Sequence, residues 1–202
     1  MDGKITAVLA EYHEHIHGER ERRAANPDAD WRDQAFLAVG PETGQLINIL
    51  AGSLKQPHIL ELGTSFGYSG IWLAEAARRT GGRVTTTELQ AHKSAFAQEQ
   101  ATKAGLAEYI DFRVGDALAV IDSLETGIDF VLVDLWKDLY VPCLERFYPR
   151  LNPGAIIVAD NMIRPGGDDV RRYGAAIRAL PGISSVLLPV GSGLEISRYE
   201  PN

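Results

Sequence analysis

The chain has 202 residues, 45% of them hydrophobic and 23% charged, with a formal net charge of −7 and a single cysteine. This is enough chain for one substantial core; it excludes a disulfide scaffold, and the acidic balance argues against a binder of phosphate backbones. The start, Met1-Asp-Gly-Lys-Ile5, lacks the basic and apolar regions of a signal peptide, and no apolar run approaches the ~18 residues of a membrane span, so a soluble cytoplasmic protein is expected, binding neither membrane nor nucleic acid.

The predicted elements fall into two regimes, a helical extension over 1–55 and an alternating body over 56–202. In the first, Ile5, Val8, Leu9, Tyr12 and Ile16 recur at helical spacing and form one apolar stripe. The charged run Gly18–Arg23 follows, then a breaker at Asn26–Asp30. A second helix is predicted from Pro41 to about Leu54, with Pro41 suited to a first-turn position. Strands are then predicted near 58–62, 83–88, 109–114, 128–134 and 154–160. Helices near 67–80, 91–105, 117–124, 138–150 and 168–180 separate them, and Ile183–Leu188 with Leu194–Tyr199 reads as a closing antiparallel pair. Such alternation implies a doubly wound, mostly parallel α/β sheet with helices on both faces. Cys143, between Val141 and Leu144, reads as a buried small hydrophobe.

Two apolar strands end in polar chemistry. Phe130–Val133 runs into Asp134-Leu-Trp-Lys-Asp138, and Ala155–Val158 runs into Ala159-Asp160-Asn161. The carboxyl ends of strands form the ligand crevice of open α/β sheets, and three hard oxygen ligands meeting there suit Mg²⁺. Lys137 is close enough in sequence to reach the same spot.

The first strand-to-helix turn, Ile59-Leu-Glu-Leu-Gly-Thr-Ser-Phe-Gly-Tyr-Ser-Gly70, is glycine-rich, and Glu88 ends the second strand where an acid captures ribose hydroxyls. The glycines at 63, 67 and 70 do not have the dinucleotide spacing, and Glu61 at the strand tip would repel a pyrophosphate. A cationic ligand would be welcomed, which favours S-adenosylmethionine over NAD. The bland alternatives are a tight turn without ligand, a surface ion pair between Asp134 and Lys137, and an Asx turn at Asp160 and Asn161.

With these residues in view, the chain resembles the class I S-adenosylmethionine-dependent methyltransferases, and within them the divalent-metal-dependent O-methyltransferases that include catechol and caffeoyl-CoA enzymes. The likeness spans about Val39 to Tyr199. Its most specific segments are Asp134-Leu-Trp-Lys-Asp-Leu-Tyr140, Ala159-Asp-Asn-Met-Ile-Arg-Pro-Gly166 and Gly193-Leu-Glu195, which lean toward the catechol branch. The resemblance implies a Rossmann-like seven-stranded sheet, six strands parallel and one antiparallel, under an N-terminal helical lid.

It further implies that Asp134, Asp160 and Asn161 hold Mg²⁺ together with a vicinal diol. Lys137 would be the general base, and Glu195 would bind the second hydroxyl. Glu61, Gly63, Tyr68 and Ser69 would surround the methionine portion of the cofactor, Glu88 its ribose, and Asp116 and Ala117 its adenine. Trp136 would pack against the adenine ring, with Val39 touching the cofactor from the lid side; Tyr68 and Tyr140 can also be read as packing residues. A homodimer is compatible with this class. The chemistry suits the residues: a phenol, of pKa roughly 10, is a poor nucleophile until a cation stabilises its anion and a base removes its proton.

Three departures stand out. Ser65 replaces the usual central glycine of the cofactor loop, and the gate aromatic has no clear counterpart, with Trp31 and Phe36 as the candidates. His13-Glu-His-Ile-His17 matches the His-Glu-x-x-His pattern of zinc peptidases, but on the edge of an apolar stripe and without an obvious third ligand. The competing functional readings are an NAD(P)-linked oxidoreductase and a non-catalytic S-adenosylmethionine-binding protein.

Overall fold

The computed structural model describes residues 2–25 and 35–201. Its centre is a seven-stranded sheet of β1 (His58–Leu62), β2 (Arg83–Glu88), β3 (Ile110–Val114), β4 (Ile128–Val133), β5 (Leu151–Ala159), β6 (Ile183–Leu188) and β7 (Leu194–Tyr199). The spatial order is β3-β2-β1-β4-β5-β7-β6. β7 runs antiparallel to β5 and β6, and the remaining pairings are parallel, as expected from the sequence.

Alternation along the central strands creates the two layers. Ile59, Phe130, Leu132, Ile156 and Val158 face α1 (Gly3–Ala25), α2 (Pro41–Gly52), α3 (Tyr68–Thr80) and α4 (Ala91–Lys103). Leu60, Leu62, Val131, Val133, Ile157 and Ala159 face α5 (Ala117–Ser123), α6 (Tyr140–Phe147) and α7 (Asp168–Ala179). Strands covered on both faces have no reason to alternate apolar with polar, which is why β4 and the second half of β5 read as unbroken apolar runs. The stripe predicted on α1 is the face that packs: Ile5, Val8, Leu9 and Tyr12 are buried.

Two boundaries differ from the sequence reading. β5 starts at Leu151 because its ladder with β4 jumps from Ile128↔Leu151 to Phe130↔Ile156, bulging the Asn152–Ala155 stretch that carries Pro153 and Gly154. The helix predicted over 138–150 is α6 flanked by 3₁₀ turns at Lys137–Leu139 and Tyr148–Arg150. Pro149 has no N–H to continue the helical ladder, so the last turn tightens. The breaker at Asn26–Asp30 and Trp31 lie outside the described residues.

The strand order reverses between β1 and β4, so the crevice opens where these two strands end. Backbone ladders run to the tips: Asp134 N–H donates to Leu62 O at 2.9 Å, and Asp160 N–H to Val133 O at 3.1 Å. Gly63 leaves β1 with φ +104°, and a Cβ there would lie 2.1 Å from the Asp134 carbonyl oxygen. Only glycine lets the β1 exit cross the β4 exit so closely.

Candidate active site

A cavity of ≈ 650 Å³ lies over these strand ends. Its walls include Gly63, Tyr68, Ser69, Glu88, Asp116 and Ala117 on one side and Asp134, Trp136, Lys137, Asp160 and Asn161 on the other. Eleven of the fourteen residues named from sequence therefore meet at one cavity; Val39, Glu61 and Glu195 are not on its wall.

The acidic end is the most strongly perturbed. Asp160 is 1% exposed, its Oδ1 has no hydrogen-bond partner among the described residues, and its Oδ2 accepts a long bond of 3.4 Å from Ser192 Oγ. Burial, reinforced by repulsion from Asp134, pushes its pKa up to about 7. Asp134 is raised as well, by burial, with Lys137 pulling in the opposite direction. One buried and one mostly buried carboxylate with a single lysine make a site short of positive charge. A cation would relieve the repulsion and engage the orphaned oxygen, so the donor set fits a divalent metal. Asn161 sits in the left-handed region at φ +59°, with Nδ2 donating to Arg164 O at 3.3 Å. That bond uses the amide nitrogen to close the turn onto Arg164 and leaves the amide oxygen for other use. Among the described residues no three His, Cys, Asp or Glu side chains form a metal-binding group; the strand-tip set consists of two carboxylates and an amide.

Lys137 Nζ donates to Tyr140 Oη at 2.8 Å, to Leu135 O at 2.9 Å and to Asp134 Oδ1 at 3.4 Å. Tyr140, fully buried, donates in turn to Asp160 O at 3.1 Å. Burial and the Asp134 and Asp160 carboxylates hold the Tyr140 phenol well above its ordinary pKa, so it stays protonated.

On the other side, Glu88 accepts from Ser65 N–H at 2.8 Å and Gln90 N–H at 3.0 Å, which fixes its carboxylate at the end of β2. Asp116 caps α5 by accepting from Ala119 N–H at 3.0 Å. Trp136, 54% exposed on the cavity wall, is not a core residue.

Three expectations need correction. Glu195 lies on the α7 side of β7, 1% exposed, where Arg178 grips it through two bonds of 2.9 and 2.7 Å and Ser185 donates to the same carboxylate. It locks α7 and β6 to the sheet and does not reach the cavity. Glu61 is fully buried one layer beneath the cofactor loop: Thr86 Oγ1 donates to Oε2 at 2.5 Å, and Oε1 has no partner. Burial, more than the nearby carboxylates, pushes its pKa up to about 7. Val39 belongs to the core under α2, whereas its neighbours Phe36, Leu37 and Ala38 line the cavity.

The histidine run does not assemble a metal site. His13 Nε2 pairs with Tyr68 Oη at 2.9 Å, His15 stacks on Phe36 at 5.2 Å, and the exposed His17 pairs with Glu21 at 3.4 Å. α1 instead closes an aromatic cluster: Phe36 stacks on Phe66 at 4.5 Å, and Tyr12 Oη donates to Phe66 O at 2.6 Å. Of the two gate candidates named from sequence, Phe36 lies on the cavity wall, and Trp31 lies outside the described residues. The wall also includes Ser65, noted from sequence only as a departure in the cofactor loop, and Thr64, Gln90 and Lys93, none singled out from sequence. Only the glycine-rich turn and Glu88 pointed to that neighbourhood.

A doubly wound sheet with a cavity at its switch point and an acid-lysine-acid-amide set on adjacent strand tips defines a small-molecule enzyme of the Rossmann-like class. A family model described as O-methyltransferase matches residues 10–199. The chain belongs to this O-methyltransferase family. It is 32% identical over 167 residues to a catechol O-methyltransferase of Niastella koreensis, covering 75% of each chain. It is 27% identical over 185 residues to caffeoyl-CoA O-methyltransferase 1 of Eucalyptus globulus, covering 81% of this chain and 75% of that one. In structure it matches the O-methyltransferase from Bacillus cereus in complex with SAH, with a TM-score of 0.77, 27% identity and coverage of 99% of this chain and 92% of the other. Among the described residues no helix is long and apolar enough to cross a membrane.

Proposed function

We propose that the protein is a Mg²⁺-dependent O-methyltransferase that moves a methyl group from S-adenosylmethionine to one hydroxyl of a small catechol-like diol, with Lys137 as general base. The observation that carries this reading is the convergence of Asp134, Asp160 and Lys137 on one cavity wall, with a buried Asp160 oxygen that no donor among the described residues satisfies. Asp134, Asp160 and Asn161 would hold the metal. When bound, it would lower the pKa of a chelated hydroxyl and orient it. S-adenosylmethionine would supply the methyl on its sulfonium. Gly63, Tyr68 and Ser69 would seat its methionine portion, Glu88 its ribose, and Asp116, Ala117 and Trp136 its adenine.

Lys137 would take the proton from the reacting hydroxyl and release it to solvent, its side chain being 23% exposed. A small aromatic substrate is favoured over a CoA thioester by the lining. Leu37, Trp136, Leu139 and Pro165 offer apolar surface, and among the described residues Lys93 and Lys137 are the only Lys or Arg of the lining to meet phosphates.

The test is transfer of labelled methyl to a catechol panel, with Mg²⁺ and with EDTA, beside Asp160→Ala. Product is expected to require the metal and to fall on the order of 10²-fold or more in the variant, the loss of several kcal/mol of charge stabilisation. Turnover indifferent to EDTA and to Asp160→Ala overturns the metal reading; cofactor binding without product overturns the catechol reading.

A further inference from the structure

We infer that Tyr140 is the positioning residue that aims the Lys137 amine at the substrate, an inference that rests on Lys137 being the base. The directions of the hydrogen bonds require it. Tyr140 has one O–H, and it is spent on the Asp160 carbonyl at 3.1 Å. Toward Lys137, 2.8 Å away, its oxygen can therefore only accept. Leu135 O, 2.9 Å from Nζ, is likewise only an acceptor. With the Tyr140 O–H on the Asp160 carbonyl, two of the three positions on the lysine nitrogen carry protons in the neutral amine as in the ammonium.

The third position is the one engaged by the long 3.4 Å contact to Asp134 Oδ1, and both Lys137 and Asp134 line the cavity. With the other two positions so engaged, the lone pair of the neutral amine takes that third position, on the side of the cavity that Lys137 and Asp134 both line. Tyr140 thus does two things with one hydroxyl: it ties the base to the backbone of Asp160, and it excludes the rotation that would turn the lone pair into the protein. The Tyr140 ring also lies beneath the ammonium, 4.8 Å from Nζ to the centroid. It also packs with Tyr173 in an edge-to-face pair at 5.4 Å.

Tyr140→Phe keeps the ring and both ring contacts and removes only the hydroxyl. The expected result is a kcat lowered on the order of 10- to 100-fold through misplacement of the amine, with KM for both substrates and the dissociation constant for S-adenosylhomocysteine unchanged. The loss of one buried hydrogen-bonding group is expected to lower Tm by about 2–4 °C. In a Lys137→Met background the same substitution should cost no further turnover, because it acts through the lysine.

Full activity in Tyr140→Phe while Lys137→Met is inactive overturns the positioning role and leaves the base. Equal losses from Tyr140→Phe in both backgrounds overturn it too, assigning the effect to the Asp160 carbonyl. Full activity in Lys137→Met overturns base and positioning together. Tyr173→Phe, whose buried hydroxyl has no partner, controls for loss of a hydroxyl from the same pair and should leave kcat unchanged. If Tyr140→Phe does not fold, 3,5-difluorotyrosine placed at 140 keeps the shape but accepts more weakly; a severalfold lower kcat is expected, and unchanged turnover overturns the proposal.

Discussion

The two sides of the cavity are built by different means. At the tips of β4 and β5 the polar residues sit on the sheet's own hydrogen-bond ladder, with Asp134 and Asp160 each donating a backbone N–H to the neighbouring strand. On the lid side, α1 and residues 35–40 are held by side chains: Tyr12 and His15 on the aromatic cluster, Glu19 accepting from Phe36 N–H at 2.7 Å, and Ser65 Oγ donating to Phe36 O at 2.9 Å. A ladder fixes a residue whatever its side chain; a side-chain contact disappears with the side chain. Substitutions at the strand tips should therefore strike chemistry and spare the fold, and those at the lid should do the reverse.

The sharpest challenge to this division is Lys137→Arg. Arginine stays protonated and cannot serve as base, yet it can still donate to Leu135 O and Tyr140 Oη. Turnover should fall about 10²- to 10⁴-fold, the usual span for general acid–base catalysis, while cofactor affinity and the unfolding midpoint remain near wild type. Single-turnover kinetics beside calorimetric cofactor titration would check it. Retained turnover would remove Lys137 from the base role, and a lost fold would show that the tips are less independent than their ladder suggests.

The same contrast explains what was legible beforehand. Sheet order, strand ends and the strand-tip set could be read because doubly covered strands leave continuous apolar runs, and a polar cluster directly after such a run is placed at the crevice by topology alone. The direction of the Glu195 side chain depended on Arg178, seventeen positions away, and a lone carboxylate in a terminal strand carries no sign of its partner. Glu61 was placed at the correct tip but one layer too high, because the inward half of a strand's alternation is invisible without knowing which face the loop covers. Phe36 could be named only as one of two candidates. Its position is fixed by Tyr12, Phe66 and Phe96, contacts between segments far apart in the chain. Tyr140 was read as packing, which it is; its second role depends on bond directions that no spacing encodes.

Glu61 offers a test of the strand-tip side that needs no substrate. Its pKa is raised from 4.5 to about 7, so the native state holds a proton that the unfolded chain releases near 4.5. Its contribution is fully present below about 4.5 and is lost as pH rises through about 7, the direction opposite to that of an ordinary salt-bridged acid. At ~1.36 kcal/mol per pH unit, the ligand-free protein should lose on the order of 3 kcal/mol across that window from this group alone. Glu61→Gln, which mimics the protonated acid, should flatten that part of the profile in urea denaturation at pH 5, 6, 7 and 8. Parallel profiles for the two proteins would mean that the buried carboxylate is compensated and that the strand-tip side stores no such cost.

The smallest effect expected lies where the two sides join. Ser65 sits in the left-handed region at φ +46°, its N–H held by Glu88 and its hydroxyl by the Phe36 carbonyl. Alanine would keep the unfavourable backbone and lose the hydroxyl; glycine would relieve the backbone and lose the hydroxyl. The difference between the two isolates strain, and Ser65→Gly should be the more stable by about 1 kcal/mol. Their shared departure from wild type isolates the link to Phe36. If the lid is held by side chains, both should weaken substrate KM severalfold and leave kcat alone. If instead the 36–38 segment is held by its own backbone, neither KM should move. In that case the lid would belong with the strand tips, and the distinction between the two sides of the cavity would fail at the residue that ties the lid to the end of β2.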